Sequence, residues 1–307
     1  MDGKKVGRRE FLGYTGIAGL AGLALASGCH GALYTNLIRD CRNENYDGLR
    51  VRVMSYNIAN ARGNHEDLFK KRDRKAIISN LDQIARMAAY EGIDVLCMNE
   101  VDFSSSRTHN IDQAEHIAKG LCYNHVIKDR MFSIPGMLDL GNAIVSRYPL
   151  KLNSHRQYGD GFCERIKHIF KSYVDFDVLL DSALRLNFTF THLDHHSSVN
   201  REREAVILLE HIRNKREPFV LLGDFNSGRG SSAFDMITGS GLVHNQNIGY
   251  GKHMTYPSDR PRHSIDHILV SSQLGIGNYR TIWAEMSDHR PIMGDVSFQE
   301  GAGQQKP

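Results

Sequence analysis

The chain has 307 residues, of which 41% are hydrophobic and 24% charged, an ordinary globular composition with enough apolar material for a sizeable core. No internal repeat or long low-complexity tract appears, which excludes a repeat architecture and leaves one large domain. The net charge is +3, and outside residues 1–29 it falls to 34 basic against 33 acidic residues, so the main domain lacks the basic field of a protein that grips nucleic acid by its backbone.

Residues 1–29 begin with Lys4, Lys5, Arg8 and Arg9 and continue as an apolar, Gly/Ala-rich stretch from Phe11 to Ala26. Arg8-Arg9-Glu10-Phe11-Leu12-Gly13 resembles a twin-arginine export signal, a segment to be set aside in fold reasoning. Ala26-Ser27-Gly28-Cys29 resembles a lipoprotein cleavage box, with Leu25 one place earlier than the usual pattern has it. A lipid on Cys29 would tether the domain to a membrane; an uncleaved anchor and a plain signal peptide are the alternatives. The apolar stretch is marginal as a permanent span. Residues 30–48 are polar and read as a linker, 49–299 as the folded domain, and 300–307 as a tail.

Val51 to Asn57 alternates as a strand. Ile77, Leu81, Ile84, Ala85 and Ala88 recur at helical spacing over 73–90, and Gly92 marks the stop. The basic run Lys70-Lys71-Arg72-Asp73-Arg74-Lys75 reads as a solvated helix face. Asp94 to Met98 suits a strand buried on both sides, and Cys97 within it is a core residue. A helix over 111–121 and strands near 123–128 and 142–147 follow. In the second half, Leu184 to Thr191 alternates as a strand, and Ala205, Leu208, Leu209 and Ile212 mark a helix over 200–214. Phe219 to Leu222, Ile265 to Val270 and Ile292 to Phe298 are further strands. Two sheets packed face to face with helices outside would bury all these stripes. Of the five cysteines, Cys41, Cys122 and Cys163 could supply a disulfide that spacing does not assign.

Polar groups cluster at predicted strand ends, where functional groups concentrate: Ser55-Tyr56-Asn57, Asn99-Glu100-Val101, Thr191-His192-Leu193, Gly223-Asp224-Phe225-Asn226 and Ser287-Asp288-His289. Glu100 is a single carboxylate leaving a buried strand, suited to a hard ion such as Mg²⁺, with Mn²⁺ or Ca²⁺ as alternatives, and Asn57 offers a neutral oxygen beside it. Neither an HExxH motif nor a Cys/His cluster of zinc spacing is present.

These segments, in this order and with Gly141-Asn142-Ala143 and Ser264-Ile265-Asp266-His267 between them, resemble the signature of the endonuclease/exonuclease/phosphatase superfamily over residues 50–298. The resemblance implies an α/β fold, a four-layer sandwich of two mostly antiparallel sheets with helices outside. It implies that Asp224 orients or deprotonates the attacking water and that Asn226 binds phosphate or holds the aspartate. It makes His289 the catalytic histidine, Asp266 its carboxylate partner, and Asp288 a group near the metal beside Asn57 and Glu100. His192 would contact the scissile phosphate and Asn142 would face the substrate. Asp194-His195-His196 also invites a metal-cluster reading, which a chain with 16 histidines makes weak. The expected activity is metal-dependent hydrolysis of a phosphate ester, a phosphodiester first, by in-line attack of water. The leader and near-neutral charge favour a lipid or small-molecule substrate over nucleic acid, and no protein partner is expected. Secreted deoxyribonuclease, phosphomonoesterase and a non-catalytic binding protein are the alternatives. Arg165, Arg260 and Arg262 lie in loops that could face substrate, and Phe162-Cys163-Glu164-Arg165 only loosely resembles a stretch of bacterial family members.

Overall fold

Two βαβ units carry the architecture. In the first, β2 (Val51–Asn57) runs parallel to β3 (Val95–Asp102), with helix α1 (Arg74–Tyr90) between them in sequence. Asp73 starts α1 by accepting a hydrogen bond from the Ala76 N–H at 3.1 Å, as an N-cap aspartate should. Its buried stripe is the one that the 3.6-residue period predicts, Ile77 to Ala88. In the second unit, β8 (Arg185–His192) and β9 (Phe219–Asp224) are parallel and joined by α3 (Ser198–Arg213), which Ser197 caps. The computed structural model describes residues 50–64, 72–159, 171–249 and 251–299, together with the backbone of 32–36.

The remaining strands pair antiparallel around these units. A seven-stranded sheet has the order β1 (Ala32–Asn36), β4 (His125–Ile134), β5 (Leu138–Ser146), β3, β2, β12 (Ile292–Phe298), β11 (Leu274–Thr281). A five-stranded sheet has the order β10 (Asp266–Val270), β9, β8, β7 (Ser172–Leu179), β6 (Leu150–Gln157). Between the sheets, Val53, Val95 and Ile144 meet Phe176, Phe188, Val220 and Ile268. On the outer face of the larger sheet, α1 and α2 (Gln113–Leu121) press Leu81, Ile84 and Ile117 onto Met54, Leu96 and Met98. On the smaller sheet, α3 and α4 (Ser232–Gly239) press Leu208, Ile212 and Phe234 onto Leu221 and Leu269. This is the expected four-layer α/β sandwich. Each large apolar side chain so buried contributes about 1.5–3 kcal/mol, which holds the strand ends in place.

The structure departs from the sequence reading in several places. Ala32–Asn36, assigned to a linker, pairs antiparallel with β4, since an edge strand is held by main-chain bonds and needs no apolar alternation. β6, β7, β11 and α4 carry no sequence assignment. β6 is an edge strand with half of its residues exposed, and β7 alternates Val174, Phe176 and Val178 with Asp175 and Asp177. Cys97 is a buried free thiol, pushed up by burial, as a core cysteine should be. Cys122 is disulfide-bonded, and its partner is outside the described residues. The leader 1–29 with Cys29, the linker apart from Ala32–Asn36, Lys70, Lys71, Phe162 to Arg165 and the tail 300–307 also lie outside the described residues.

Candidate active site

The parallel strands end where the polar motifs begin, so β2, β3, β8 and β9 deliver their last residues to one place between the sheets. Asn57 shows this directly: its Nδ2 donates to Asp224 Oδ2 at 3.0 Å and to Glu100 Oε1 at 3.3 Å. Two backbone irregularities aim these groups. β3 bulges between Met98 and Val101, and Glu100 there has φ +55°, a strained conformation for a residue with a Cβ. Gly223, with φ +142°, lets β9 approach β8 so closely that a Cβ would sit 1.9 Å from the Thr191 carbonyl oxygen. That approach sets His192 opposite Asp224.

Asp224 is the hub. Its Oδ1 accepts the Asn226 N–H at 2.8 Å, and its Oδ2 lies 3.4 Å from His192 Nε2 and 3.8 Å from His289 Nε2. Asn226 holds the aspartate through its backbone, while its Nδ2 donates to the Leu193 carbonyl at 2.9 Å. Burial first, and then the charge of Asp266, push the Asp224 carboxyl up to about 6, against the opposing effects of His289, Lys171 and Asn57.

His289 Nδ1 meets Asp266 Oδ2 at 2.9 Å, the pairing the family resemblance implied. Burial lowers the imidazole, but Asp266 and Asp224 overturn this and raise it to about 10. The ring is therefore an imidazolium at neutral pH, with Nε2–H turned toward Asp224. A loop braces this segment: Ser258 N–H donates to the Asp288 carbonyl at 2.8 Å, and Arg290 N–H to the Thr255 carbonyl at 2.7 Å.

Two of the expected site residues make contacts of a different kind. Asn57 presents its NH₂, not its oxygen, to the carboxylates, because its Oδ1 accepts the Ala59 N–H at 3.1 Å. It braces Glu100 and Asp224 as a donor. Asn142 faces the scaffold rather than substrate: its Nδ2 donates to Asp129 Oδ2 at 3.2 Å and Ser172 Oγ at 3.1 Å, and its Oδ1 accepts from Asn99 at 3.0 Å. Asn99 in turn accepts the Asp224 N–H at 3.3 Å, so Asn142 ties the two sheets beneath the site. The Asp194-His195-His196 segment also resolves as structure, since Asp194 Oδ1 accepts the His196 and Ser197 N–H groups at 2.7 Å, at the start of α3.

Two basic residues were missed. Arg62 Nη2 donates to Asp288 Oδ2 at 3.2 Å, and its side chain is 10% exposed. Burial works to raise Glu100, yet Arg62, Lys171 and His289 hold it below its usual value. Lys171, 3% exposed, precedes β7 and places its Nζ 2.5 Å from His192 Nε2. Burial pushes its ammonium down, against the charges of Asp224 and Glu100. A lysine immediately before an alternating strand was the available signal, and it is weak.

The carboxylates of Glu100 and Asp288 suit a hard divalent cation by donor chemistry. Asp224, Asp266 and His289 also bring ligand atoms within 4.8 Å of one another, a second group whose donors could hold an ion. Apart from a metal, the site offers a carboxylate of raised proton affinity, an imidazolium fixed by its own carboxylate, and a buried ammonium.

The Endonuclease/Exonuclease/phosphatase family model matches residues 54–289. Among solved structures, an endonuclease/exonuclease/phosphatase from Beutenbergia cavernae superposes with a TM-score of 0.61 at 19% identity, covering 81% of this chain and 72% of that one. A mannosyl-6-phosphatase from Bacteroides thetaiotaomicron gives 0.56 at 17%, covering 81% and 100%. Truncated TDP2 from Caenorhabditis elegans gives 0.57 at 15%, covering 83% and 100%. At these identities the likenesses speak for the fold. No curated protein matches the chain.

Proposed function

The chain belongs to the endonuclease/exonuclease/phosphatase family, whose members hydrolyse phosphate esters, and from that premise we propose that it is a divalent-metal-dependent phosphodiesterase acting by in-line attack of water. The observation that supports this most is Asp224, held between Asn57, His192 and His289 with its proton affinity raised to about 6, near the pH at which a general base works best.

Asp224 orients the attacking water and takes its proton as the new P–O bond forms. The His289 imidazolium, fixed by Asp266, donates Nε2–H to a phosphoryl oxygen as negative charge grows there. The P–O bond to the leaving group then breaks, and the departing oxygen acquires a proton from water. Asn57 and the Asn226 N–H keep Asp224 in register with the phosphorus. Glu100 and Asp288 would hold the ion, Mg²⁺ first, which when bound would supply Lewis-acid charge beside the phosphate.

A lipid or small-molecule phosphodiester is the favoured substrate, because the domain outside the leader is close to neutral. Phosphomonoesters are the second reading, on the likeness to the mannosyl-6-phosphatase. Export through residues 1–29, with a tether at Cys29, is part of the proposal; the disulfide at Cys122 supports it, since such bonds persist in oxidising compartments. The first test is hydrolysis of bis-p-nitrophenyl phosphate by the purified protein, with and without EDTA and with Mg²⁺, Mn²⁺ or Ca²⁺ restored. Metal-dependent turnover that Glu100→Ala and His289→Ala abolish is expected. Turnover indifferent to EDTA or to both substitutions would overturn the reading. A side-by-side panel of DNA, sphingomyelin, phosphoinositides, nucleotides and sugar phosphates then identifies the substrate.

A further inference from the structure

Lys171 and His192 meet at 2.5 Å through Nζ and Nε2. As an ammonium Lys171 has N–H donors and no lone pair, and in that state it donates to His192 in this contact. Accepting at Nε2 makes the ring neutral, with its proton on Nδ1. A nitrogen that accepts from an ammonium does not at the same time donate to a phosphoryl oxygen. The role that the family resemblance gives to His192 therefore passes to its neighbour.

The charges around the site point the same way. Glu100, Asp224, Asp266 and Asp288 would repel an anionic phosphate unless cations answered them. The His289 imidazolium bonds to Asp266 through Nδ1 and the Arg62 guanidinium to Asp288 through Nη2, so each shares its charge with a carboxylate. Lys171 instead hydrogen-bonds to a neutral ring. Its ammonium keeps further N–H groups for a ligand, and it feels the charges of both Asp224 and Glu100.

We propose that Lys171 binds the phosphoryl group alongside His289, through an N–H to a non-bridging oxygen, and that His192 is a positioning residue that holds the ammonium in place by accepting from it. The ligand class is the phosphoryl group of the ester and, after hydrolysis, orthophosphate. This rests on the phosphate-ester reading of the site. No proton leaves Lys171 in this role; it neutralises charge that grows on the phosphoryl oxygens.

The experiment measures orthophosphate binding by calorimetry and turnover of bis-p-nitrophenyl phosphate, both with the full chain in Mg²⁺. Wild type is compared with Lys171→Met, Lys171→Arg, His192→Ala and His192→Gln. Lys171→Met should weaken orthophosphate binding at least about tenfold and lower kcat by about 10², the usual scale for losing one donor to a developing oxyanion. Lys171→Arg should recover much of the loss. His192→Gln, whose carbonyl oxygen still accepts, should stay within about tenfold of wild type, whereas His192→Ala should not. Orthophosphate binding unchanged in Lys171→Met, no orthophosphate binding by wild type, or equal losses in both His192 variants with no rescue by Lys171→Arg would overturn the proposal. Circular dichroism checks folding; if Lys171→Met does not fold, Lys171→Gln takes its place. An inactive wild type that still binds orthophosphate through Lys171 would defeat the hydrolase reading and leave this one standing.

Discussion

Two aspartates of the smaller sheet are both buried, Asp175 at 4% exposure on β7 and Asp224 at 1% at the end of β9, yet their surroundings push them in opposite directions. Asp175 accepts from His211 Nε2 at 2.8 Å, Asn187 Nδ2 and Thr189 Oγ1 at 3.1 Å, Asn153 Nδ2 at 3.2 Å, and Lys215. Burial alone would raise its carboxyl; these donors overturn that and hold it well below the usual range. Asp224 is also hydrogen-bonded, but its neighbour Asp266 is another carboxylate, and it is raised to about 6. A carboxylate saturated with donors is inert and holds a sheet together. One crowded by a like charge is poised to exchange a proton near neutrality, which is where catalytic groups are found.

Exchanging the carboxylate for an amide at each position is the sharpest way to test this contrast. Asp224→Asn should lower kcat/KM on bis-p-nitrophenyl phosphate by about 10³ or more, with a thermal midpoint equal to or above that of wild type, since a crowded buried charge is gone. Activity within tenfold of wild type would break the comparison. Asp266→Asn should cost about 10² in kcat and change the pH profile. In wild type, rate should fall below about pH 6 as Asp224 protonates and above about pH 10 as His289 loses its proton. Removing the Asp266 charge should bring the alkaline limb down by more than one pH unit; an unmoved limb would mean His289 is not the acid titrating there.

Asp175→Asn should show the reverse signature, a stability loss of about 2–4 kcal/mol by urea unfolding with kcat/KM within twofold. Its folded carboxyl is depressed, so its contribution is complete above the ordinary aspartate value of 3.8 and disappears as pH falls below it. The gap between variant and wild type should close in acid, and a gap that widened would refute the assignment. The smallest effect is expected at Asn142→Ala, about 1–3 kcal/mol of stability with catalysis nearly unchanged. A large rise in KM there would restore the substrate-side role that the hydrogen bonds argue against.

The contrast also marks where sequence reading works. Ile77 to Ala88 and Ala205 to Ile212 announce their helices because a core-facing stripe must repeat every 3.6 residues. Asp224 is legible at the end of an apolar strand, Asp266 at the start of one and His289 in the loop before another, all in motifs whose order resembles the family's. β7 has the same two-residue period as the other strands, with Val174, Phe176 and Val178 toward the core and Asp175 and Asp177 on the opposite face, where a helix and a neighbouring strand satisfy them. Asn57 and Asn142 show a limit, since an amide's residue type is visible but the direction of its donor is not.

What the sequence determined by itself is therefore the layered fold and the polar strand ends, with the Asp266–His289 pairing coming from the family resemblance. What only the tertiary structure decided is how charges separated in sequence act on one another. Lys171 against His192, Arg62 against Asp288 and Asn57 as a donor to two carboxylates arise where two sheets converge. The physical reason is one of range: periodicity and motifs report on neighbours along the chain, whereas proton affinity and hydrogen-bond direction are set within a few ångströms in space, by residues that folding alone brings together.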